Sequence, residues 1–131
     1  MQIGAWQVLI VEDDADSMDL IQTVLGHGGV PYRGARTAEE ALAILQEFTP
    51  DVFIIDLHLP KMDGWSFLQV IRQVPALHNA PKVAITGYFN PILVSKAIEA
   101  GFDAFMPKPI DARLLVQHLT EILDKKHQPD G

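Results

Sequence analysis

The sequence predicts a single α/β domain built on a doubly wound, five-stranded parallel sheet. Five short apolar runs alternate with five longer amphipathic segments, and right-handed crossovers place such helices on both faces of a parallel sheet. Residues 52–55 are all apolar, as in a central strand that is covered on both faces. The length of 131 residues suits one domain.

The first half of the chain contains two strand–helix pairs before that central strand. Residues 8–11 form an aliphatic run that ends in acid, and 15–26 place apolar side chains on one helical face. Residues 31–34 predict a weak strand. Thr37 and Glu40 have the spacing of a capping box, so a second helix is expected from there to about residue 48.

The second half of the chain predicts three helices and two strands. Residues 65–74 are expected to be helical and 83–85 extended. A helix over 91–100 has proline at its start and glycine just beyond its end, the usual placement of both residues. A last strand is expected at 104–106, and Asp111 is the expected N-cap of the final helix.

Composition and charge exclude several classes of function. The chain has no cysteine, which excludes a disulfide framework, thiolate nucleophiles and cysteine-ligated zinc, and fits the reducing cytoplasm. The formal net charge of −7 has the wrong sign for binding nucleic acid directly or an anionic membrane surface. No apolar run approaches the ~20 residues that span a bilayer. We expect a cytoplasmic domain over 1–126 and a flexible C-terminal tail at 127–131.

Polar residues follow four of the five predicted strands. Glu12 and Asp13 follow the first strand, Asp56 the third, Thr86 the fourth and Lys108 the fifth. Because a ligand site in an open parallel sheet lies beyond the carboxyl ends of its strands, these residues are expected to converge. Three carboxylates repel one another unless a cation lies among them, and all-oxygen ligation favours Mg²⁺. A lysine and a hydroxyl beside them indicate an anion with several oxygens, for which a phosphoryl group fits best.

Four motifs, occurring in order along the chain, resemble those of a known family. They are Val-Glu-Asp-Asp at 11–14, Ile-Ile-Asp-Leu-His-Leu-Pro-Lys-Met-Asp-Gly at 54–64, Ala-Ile-Thr-Gly at 84–87 and Pro-Lys-Pro at 107–109. In these motifs the chain resembles response-regulator receiver domains of the chemotaxis-regulator type, the phospho-accepting modules of two-component signalling. The resemblance implies a flavodoxin-like (βα)5 fold with strand order 2-1-3-4-5.

The resemblance implies a role for each residue of the acidic group. Asp56 matches the phosphoacceptor, whose carboxylate becomes an acyl phosphate. Glu12, Asp13 and Asp56 match the carboxylates that hold Mg²⁺ or Mn²⁺. The backbone carbonyl of His58 matches a further metal ligand.

Other matches concern the response to phosphorylation. Thr86 and Lys108 match the groups that bind the phosphoryl oxygens. Phe105 matches the aromatic switch residue that turns inward as Thr86 moves, although a fixed core phenylalanine is an equally simple interpretation. The peptide bond before Pro109 is expected to be cis, as in the family.

The resemblance also implies partners. A histidine kinase or histidine phosphotransfer protein would donate the phosphoryl group, and a downstream protein effector would bind in trans to the surface from about residue 91 to 118. Such a domain assists its own phosphorylation and dephosphorylation but has no external substrate. Two alternatives stay open: the N-terminal receiver fragment of a larger response regulator or hybrid kinase, and a receiver-like scaffold that works without phosphorylation.

Two variable positions are expected to tune the lifetime of the acyl phosphate. His58 and Tyr88 lie two residues after Asp56 and two after Thr86, where receivers control the access of water. Both side chains are bulky, which predicts slow hydrolysis. Apart from this steric effect, the His58 side chain is expected to be an ordinary exposed loop residue without an acid–base role.

Two other families share part of the pattern. Asp56 and His58 begin the Asp-x-His-x-x-Gly motif of cobalamin-binding modules, but Lys61 stands where that motif needs glycine. Aspartyl phosphatases carry a second aspartate two residues after the first, where this chain has His58. Taken singly, Asp56, Thr86 and Lys108 each also have a structural explanation, as a loop cap, a strand end and a surface ion pair.

Overall fold

A computed structural model describes residues 6–88 and 90–126, which form one five-stranded sheet flanked by helices. The strands are β1 (Val8–Val11), β2 (Tyr32–Ala35), β3 (Val52–Asp56), β4 (Lys82–Thr86) and β5 (Ala104–Pro107). The helices are α1 (Ala15–His27), α2 (Ala38–Ile44), α3 (Gly64–Ile71), α4 (Pro91–Ala100) and α5 (Leu115–Lys126). A 3-10 helix at Pro75–Leu77, which the apolar periodicity does not predict, precedes β4.

The sheet has the predicted topology. All its strand pairs are parallel and their order is β2-β1-β3-β4-β5, which confirms the doubly wound fold. The register aligns Asp56, at the end of β3, with Ile85 of β4, and it aligns Thr86 with Pro107 of β5. The carboxyl ends of β3, β4 and β5 therefore meet at one edge of the sheet.

The core consists of two apolar layers, one on each face of the sheet. Alternate residues of β1 and β3 point into opposite layers, and both strands are buried along their whole length. One layer packs against α2, α3 and α4 and includes the edge-to-face pair Phe53 and Phe67, whose ring centroids are 6.2 Å apart. The other layer packs against α1 and α5. Burial on both faces explains why β3 carries apolar residues throughout until Asp56.

Helix boundaries follow local capping chemistry. The Thr37 hydroxyl accepts a hydrogen bond from the Glu40 backbone N–H at 3.0 Å, as the capping-box spacing predicts. The Glu40 side chain, however, accepts from the Arg36 N–H at 3.4 Å rather than from Thr37. Gly101 ends α4 in the left-handed conformation, with φ of 117°, as the glycine after residue 100 predicts.

Three predicted boundaries are wrong. The second helix ends at Ile44 rather than near 48, because the next residues form a turn with i to i+3 hydrogen bonds. The third helix ends at Ile71 rather than at 74. Asp111 is not the N-cap of α5, which begins only at Leu115. The Asp111 carboxylate instead accepts from the Arg113 N–H at 2.9 Å and stabilises the turn before the helix.

The structure does not describe the two ends of the chain. Residues 127–131, the expected tail, lie outside the described residues. Within 6–88 and 90–126, no helix combines the length and the apolar character needed to cross a bilayer.

Candidate functional site

Three carboxylates converge at the carboxyl edge of the sheet. Oxygens of Glu12, Asp13 and Asp56 lie within 4.8 Å of one another. Glu12 and Asp56 are buried, whereas Asp13 is exposed. The convergence predicted from the strand ends is therefore present, and the group opens to solvent through Asp13.

Hydrogen bonds within the loop after β1, and one from Arg36, hold this loop in place. The Asp14 carboxylate caps α1 by accepting from the Ser17 N–H at 2.8 Å. The Asp14 N–H donates to Glu12 Oε2 at 3.3 Å, and the Arg36 guanidinium donates to the Asp13 carbonyl at 3.3 Å. These contacts orient Glu12 inward and leave the Asp13 carboxylate facing outward.

Lys108 contacts both of the buried carboxylates. Its ammonium group forms ion pairs with Glu12 and, at 3.3 Å, with Asp56 Oδ2. Its backbone N–H donates to the Thr86 carbonyl at 2.8 Å, which continues the pairing of β4 with β5. The Lys108–Pro109 peptide bond is cis, as the family pattern predicts.

The Asp56 carboxylate is oriented by the loop that follows it. Asp56 Oδ1 accepts a hydrogen bond from the His58 N–H at 3.0 Å. The chain then folds back so closely that a Cβ on Gly64 would lie 2.3 Å from the Asp56 carbonyl oxygen. Only glycine permits this approach, which explains the glycine that ends the loop.

The pKa values of the two buried acids shift in opposite directions. Burial raises the pKa of Glu12 from 4.5 to about 7, and its hydrogen bond with Asp56 acts in the same direction. Burial alone would also raise the pKa of Asp56. Hydrogen bonds from Glu12 and from the His58 N–H, together with the charge of Lys108, outweigh that effect and lower the pKa of Asp56 below its usual value. The two shifts favour the protonated form of Glu12 and the ionised form of Asp56.

The Lys108 ammonium stays protonated in this environment. Burial by itself would lower the pKa of Lys108. The hydrogen bond with Glu12 and the negative charges of Asp56 and Glu12 outweigh that effect and raise the pKa above its usual value. A permanent positive charge therefore lies beside Asp56.

The side chain of His58 makes a contact that sequence reasoning missed. His58 Nδ1 lies 3.0 Å from Thr86 Oγ1, and the Tyr88 N–H donates to the same hydroxyl at 3.1 Å. The His58 and Tyr88 rings also touch, with centroids 4.8 Å apart. The sequence did contain a signal for this contact. His58 and Tyr88 each lie two residues after the end of a strand, and these two strands, β3 and β4, are neighbours in the sheet.

Phe105 lies at the edge of the site rather than within it. It is half-buried in β5 and packs against the layer that contains α4. It also lines a surface groove with Pro109, Leu115 and His118. The candidate switch residue therefore contacts both the layer that contains α4 and the groove beside α5.

Residues 8–120 match the family model of the response regulator receiver domain. The chain belongs to this family. The match assigns it to receivers rather than to the cobalamin-binding or phosphatase families that share single motif residues.

Two known proteins are similar to this chain in sequence, and one solved structure is similar to it in fold. An uncharacterised 14.6 kDa protein of Leptolyngbya boryana is 31% identical over 115 residues, 88% of either chain. The transcriptional regulatory protein CpxR of Klebsiella pneumoniae is 30% identical over 121 residues, 92% of this chain and 50% of CpxR. This receiver thus spans about half the length of CpxR. The chemotaxis response regulator CheY4 of Vibrio cholerae superposes with a TM-score of 0.83 at 25% identity, covering 89% of this chain and 98% of CheY4.

Proposed function

We propose that this receiver is a phosphoacceptor in two-component signal transduction. A histidine kinase or histidine phosphotransfer protein donates the phosphoryl group to Asp56 in a reaction that requires Mg²⁺. The modification changes the surface of α4, β5 and α5, which a protein effector then binds in trans. The observation that carries the proposal is the convergence of Glu12, Asp13, Asp56 and Lys108 at one edge of the sheet.

The chemistry requires an ionised, oriented carboxylate. A carboxylate oxygen of Asp56 forms a bond to phosphorus while the bond from phosphorus to the donor imidazole nitrogen breaks, and the electron pair leaves with that nitrogen. The lowered pKa of Asp56 keeps the nucleophile ionised at neutral pH. The hydrogen bond from the His58 N–H limits its rotation, and Lys108 supplies positive charge for the phosphoryl oxygens.

The acidic group suits a hard divalent cation. It offers only carboxylate oxygens, and these lie close enough together to share one ion. Glu12, Asp13, Asp56 and the backbone carbonyl of His58 would hold Mg²⁺ or Mn²⁺. The bound ion would neutralise charge on the transferring phosphoryl group.

The switch connects the site with the effector surface. Phosphorylation adds about −1.5 to −2 charges and three acceptor oxygens, which attract the Thr86 hydroxyl and Lys108. Movement of Thr86 leaves space into which the Phe105 ring turns. Ile92 and Ile98 are 70% and 49% exposed on α4, which favours a protein partner over nucleic acid. The net charge of −7 disfavours an anionic membrane surface.

The remaining details follow from the same proposal. The receiver comprises residues 1–126, acts in the cytoplasm and has no external substrate. The bulky side chains of His58 and Tyr88 slow the access of water to the acyl phosphate. A longer parent protein would place an output domain next to this receiver, and a phosphorylation-independent scaffold is the remaining alternative.

Intact mass spectrometry tests the proposal. The protein is incubated with Mg²⁺ and acetyl phosphate, next to Asp56→Asn and to Asp19→Asn, a control at an exposed aspartate of α1. We expect one phosphoryl addition in the wild type and in Asp19→Asn, none in Asp56→Asn or with chelator, and removal by hydroxylamine. No addition to the wild type from either acetyl phosphate or a phosphorylated kinase would contradict the proposal and favour the scaffold.

A further inference from the structure

His58 joins the candidate phosphoacceptor to the candidate switch. Its backbone N–H donates to Asp56 Oδ1 at 3.0 Å, and its ring nitrogen Nδ1 lies 3.0 Å from Thr86 Oγ1. The loop after β3 is thereby connected by a side chain to the loop after β4. The contact spans 28 residues of sequence and is not part of the sheet.

Two of the three hydrogen-bonding positions of the Thr86 hydroxyl are already in use. A threonine hydroxyl has one proton to donate and two lone pairs to accept with. The Tyr88 N–H uses one lone pair, and His58 uses either the proton or the second lone pair. Thr86 is fully buried, so water does not compete for these positions. In the tautomer whose Nδ1 carries no proton, the Thr86 hydroxyl donates its single proton to His58, so a phosphoryl oxygen on Asp56 can accept from this hydroxyl only if Thr86 leaves His58.

The same ring also restrains the neighbouring loop. The His58 ring packs against Tyr88, with an angle of 58° between the ring planes. Tyr88 is otherwise 70% exposed. Two contacts from one imidazole therefore hold both the hydroxyl that must move and the loop that must move with it.

We propose that the His58 side chain is a positioning group that holds Thr86 and the loop after β4 in the unphosphorylated arrangement. Loss of the His58–Thr86 hydrogen bond is then one of the costs of switching. The inference rests on the proposed phosphoacceptor function and adds a regulatory role for a residue at that site. It predicts that removal of the imidazole favours the switched state.

A double-mutant cycle with beryllium fluoride and Mg²⁺ tests this role, because beryllium fluoride imitates a phosphoryl group without a lasting covalent bond. The dissociation constant is measured from backbone amide shifts for wild type, His58→Ala, Thr86→Val and the double variant. We expect His58→Ala to tighten binding roughly two- to tenfold, the range of one net hydrogen bond. In the Thr86→Val background the same substitution should have no effect. His78→Ala, at an exposed histidine beyond the opposite end of β4, is the matched control and should leave binding unchanged.

Two results would overturn the inference. Equal tightening in both backgrounds would show that His58 acts by size or charge rather than through the hydroxyl. Weaker or unchanged binding in His58→Ala would show that the imidazole does not oppose the switch. Because His58 is exposed, its substitution leaves the core packing unchanged, and a melting temperature for each variant checks this.

A second measurement separates this inference from the proposed function. In metal-free protein, hydrogen exchange of the Tyr88 amide, which donates to Thr86, should be faster in His58→Ala than in wild type. Failure of every variant to bind beryllium fluoride, together with failure to phosphorylate Asp56, would contradict the phosphoacceptor function and therefore the switching role as well. A different outcome would overturn only the role of His58 and leave the phosphoacceptor function intact. In that outcome the wild type binds beryllium fluoride, the double-mutant cycle shows no coupling between His58 and Thr86, and His58→Ala leaves exchange of the Tyr88 amide unchanged.

Discussion

Two lysines at opposite ends of the same sheet differ in what their ammonium groups contact. Lys108 follows β5 at the carboxyl edge and pairs with two carboxylates, Glu12 and Asp56. Lys82 begins β4 at the amino edge and donates to the Leu77 backbone carbonyl at 2.7 Å. Both are removed from most solvent, yet only Lys108 lies among groups that can exchange partners with a ligand. Burial of a lysine therefore does not by itself indicate a functional site.

The two environments also shift the pKa values of the lysines in opposite directions. Burial lowers the pKa of Lys82, and the charge of Asp103 only partly offsets this effect. For Lys108 the paired carboxylates outweigh burial, so the pKa is raised. At the amino edge a 3-10 helix closes over the ammonium with backbone carbonyls. At the carboxyl edge the loops supply side chains and leave the site open.

The largest expected effect concerns the pH dependence of stability at the carboxyl edge. Glu12 releases its proton near pH 4.5 when unfolded and near pH 7 when folded. Between these values the folded protein binds the additional proton, so its stability falls as pH rises, by about 3 kcal/mol. We expect urea denaturation with chelator present to show this fall in wild type and in Glu39→Gln, an exposed control on α2. Glu12→Gln should abolish it.

The Asp56 and Lys82 titrations lie outside that window. The lowered pKa of Asp56 affects stability only below about pH 3.8, where stability is lost as pH falls. The pKa of Lys82 is 10.5 in the unfolded protein and lower in the folded protein. Between these two values the unfolded protein binds more protons, so stability increases with pH only in that alkaline range. A wild-type stability that is flat between pH 4.5 and 7 would contradict the assignment of the proton to Glu12.

The second expected effect separates the two lysines by their contribution to ligand binding. Lys108→Met removes a charge-assisted hydrogen bond to the phosphoryl analogue, which is worth about 1.5–3 kcal/mol, or roughly ten- to a hundredfold in affinity. Lys82→Met should leave the beryllium fluoride affinity unchanged, because Lys82 lies at the far edge of the sheet. Calorimetric titration with Mg²⁺ present measures both constants. A similar loss in the two variants would mean that the comparison reflects general destabilisation.

The smallest expected effect is the structural contribution of Lys82. Lys82→Met leaves the Leu77 carbonyl without its side-chain donor, which lowers the free energy of unfolding. The substitution also removes the cost of burying the ammonium, which partly offsets that loss, so the expected net decrease is about 1–2 kcal/mol. Lys96→Met, at an exposed position of α4, should change it by no more than about 0.5 kcal/mol. Urea denaturation at neutral pH measures both free energies of unfolding. If Lys82→Met lowers the free energy of unfolding no more than Lys96→Met does, the Lys82 contact contributes nothing to stability.

Much of the fold was predictable because the buried strands have a strong local signal. Residues 8–11 and 52–55 are aliphatic or aromatic throughout, and the structure has β1 and β3 at these positions. The ends of helices were less predictable. Asp111 is of a residue type common at N-caps, but its carboxylate accepts a hydrogen bond from the Arg113 N–H in the turn before α5. Sequence spacing cannot distinguish these two arrangements.

The site residues were likewise predictable because each follows a strand, and parallel strands bring their carboxyl ends to one edge. Sequence alone therefore determined the fold class and the gathering of Glu12, Asp13, Asp56 and Lys108. Only the tertiary structure decided that Glu12 lies buried against Lys108 and that His58 binds the Thr86 hydroxyl. These contacts join loops that are distant in sequence, so they depend on how each loop folds over the sheet rather than on any local pattern of residues.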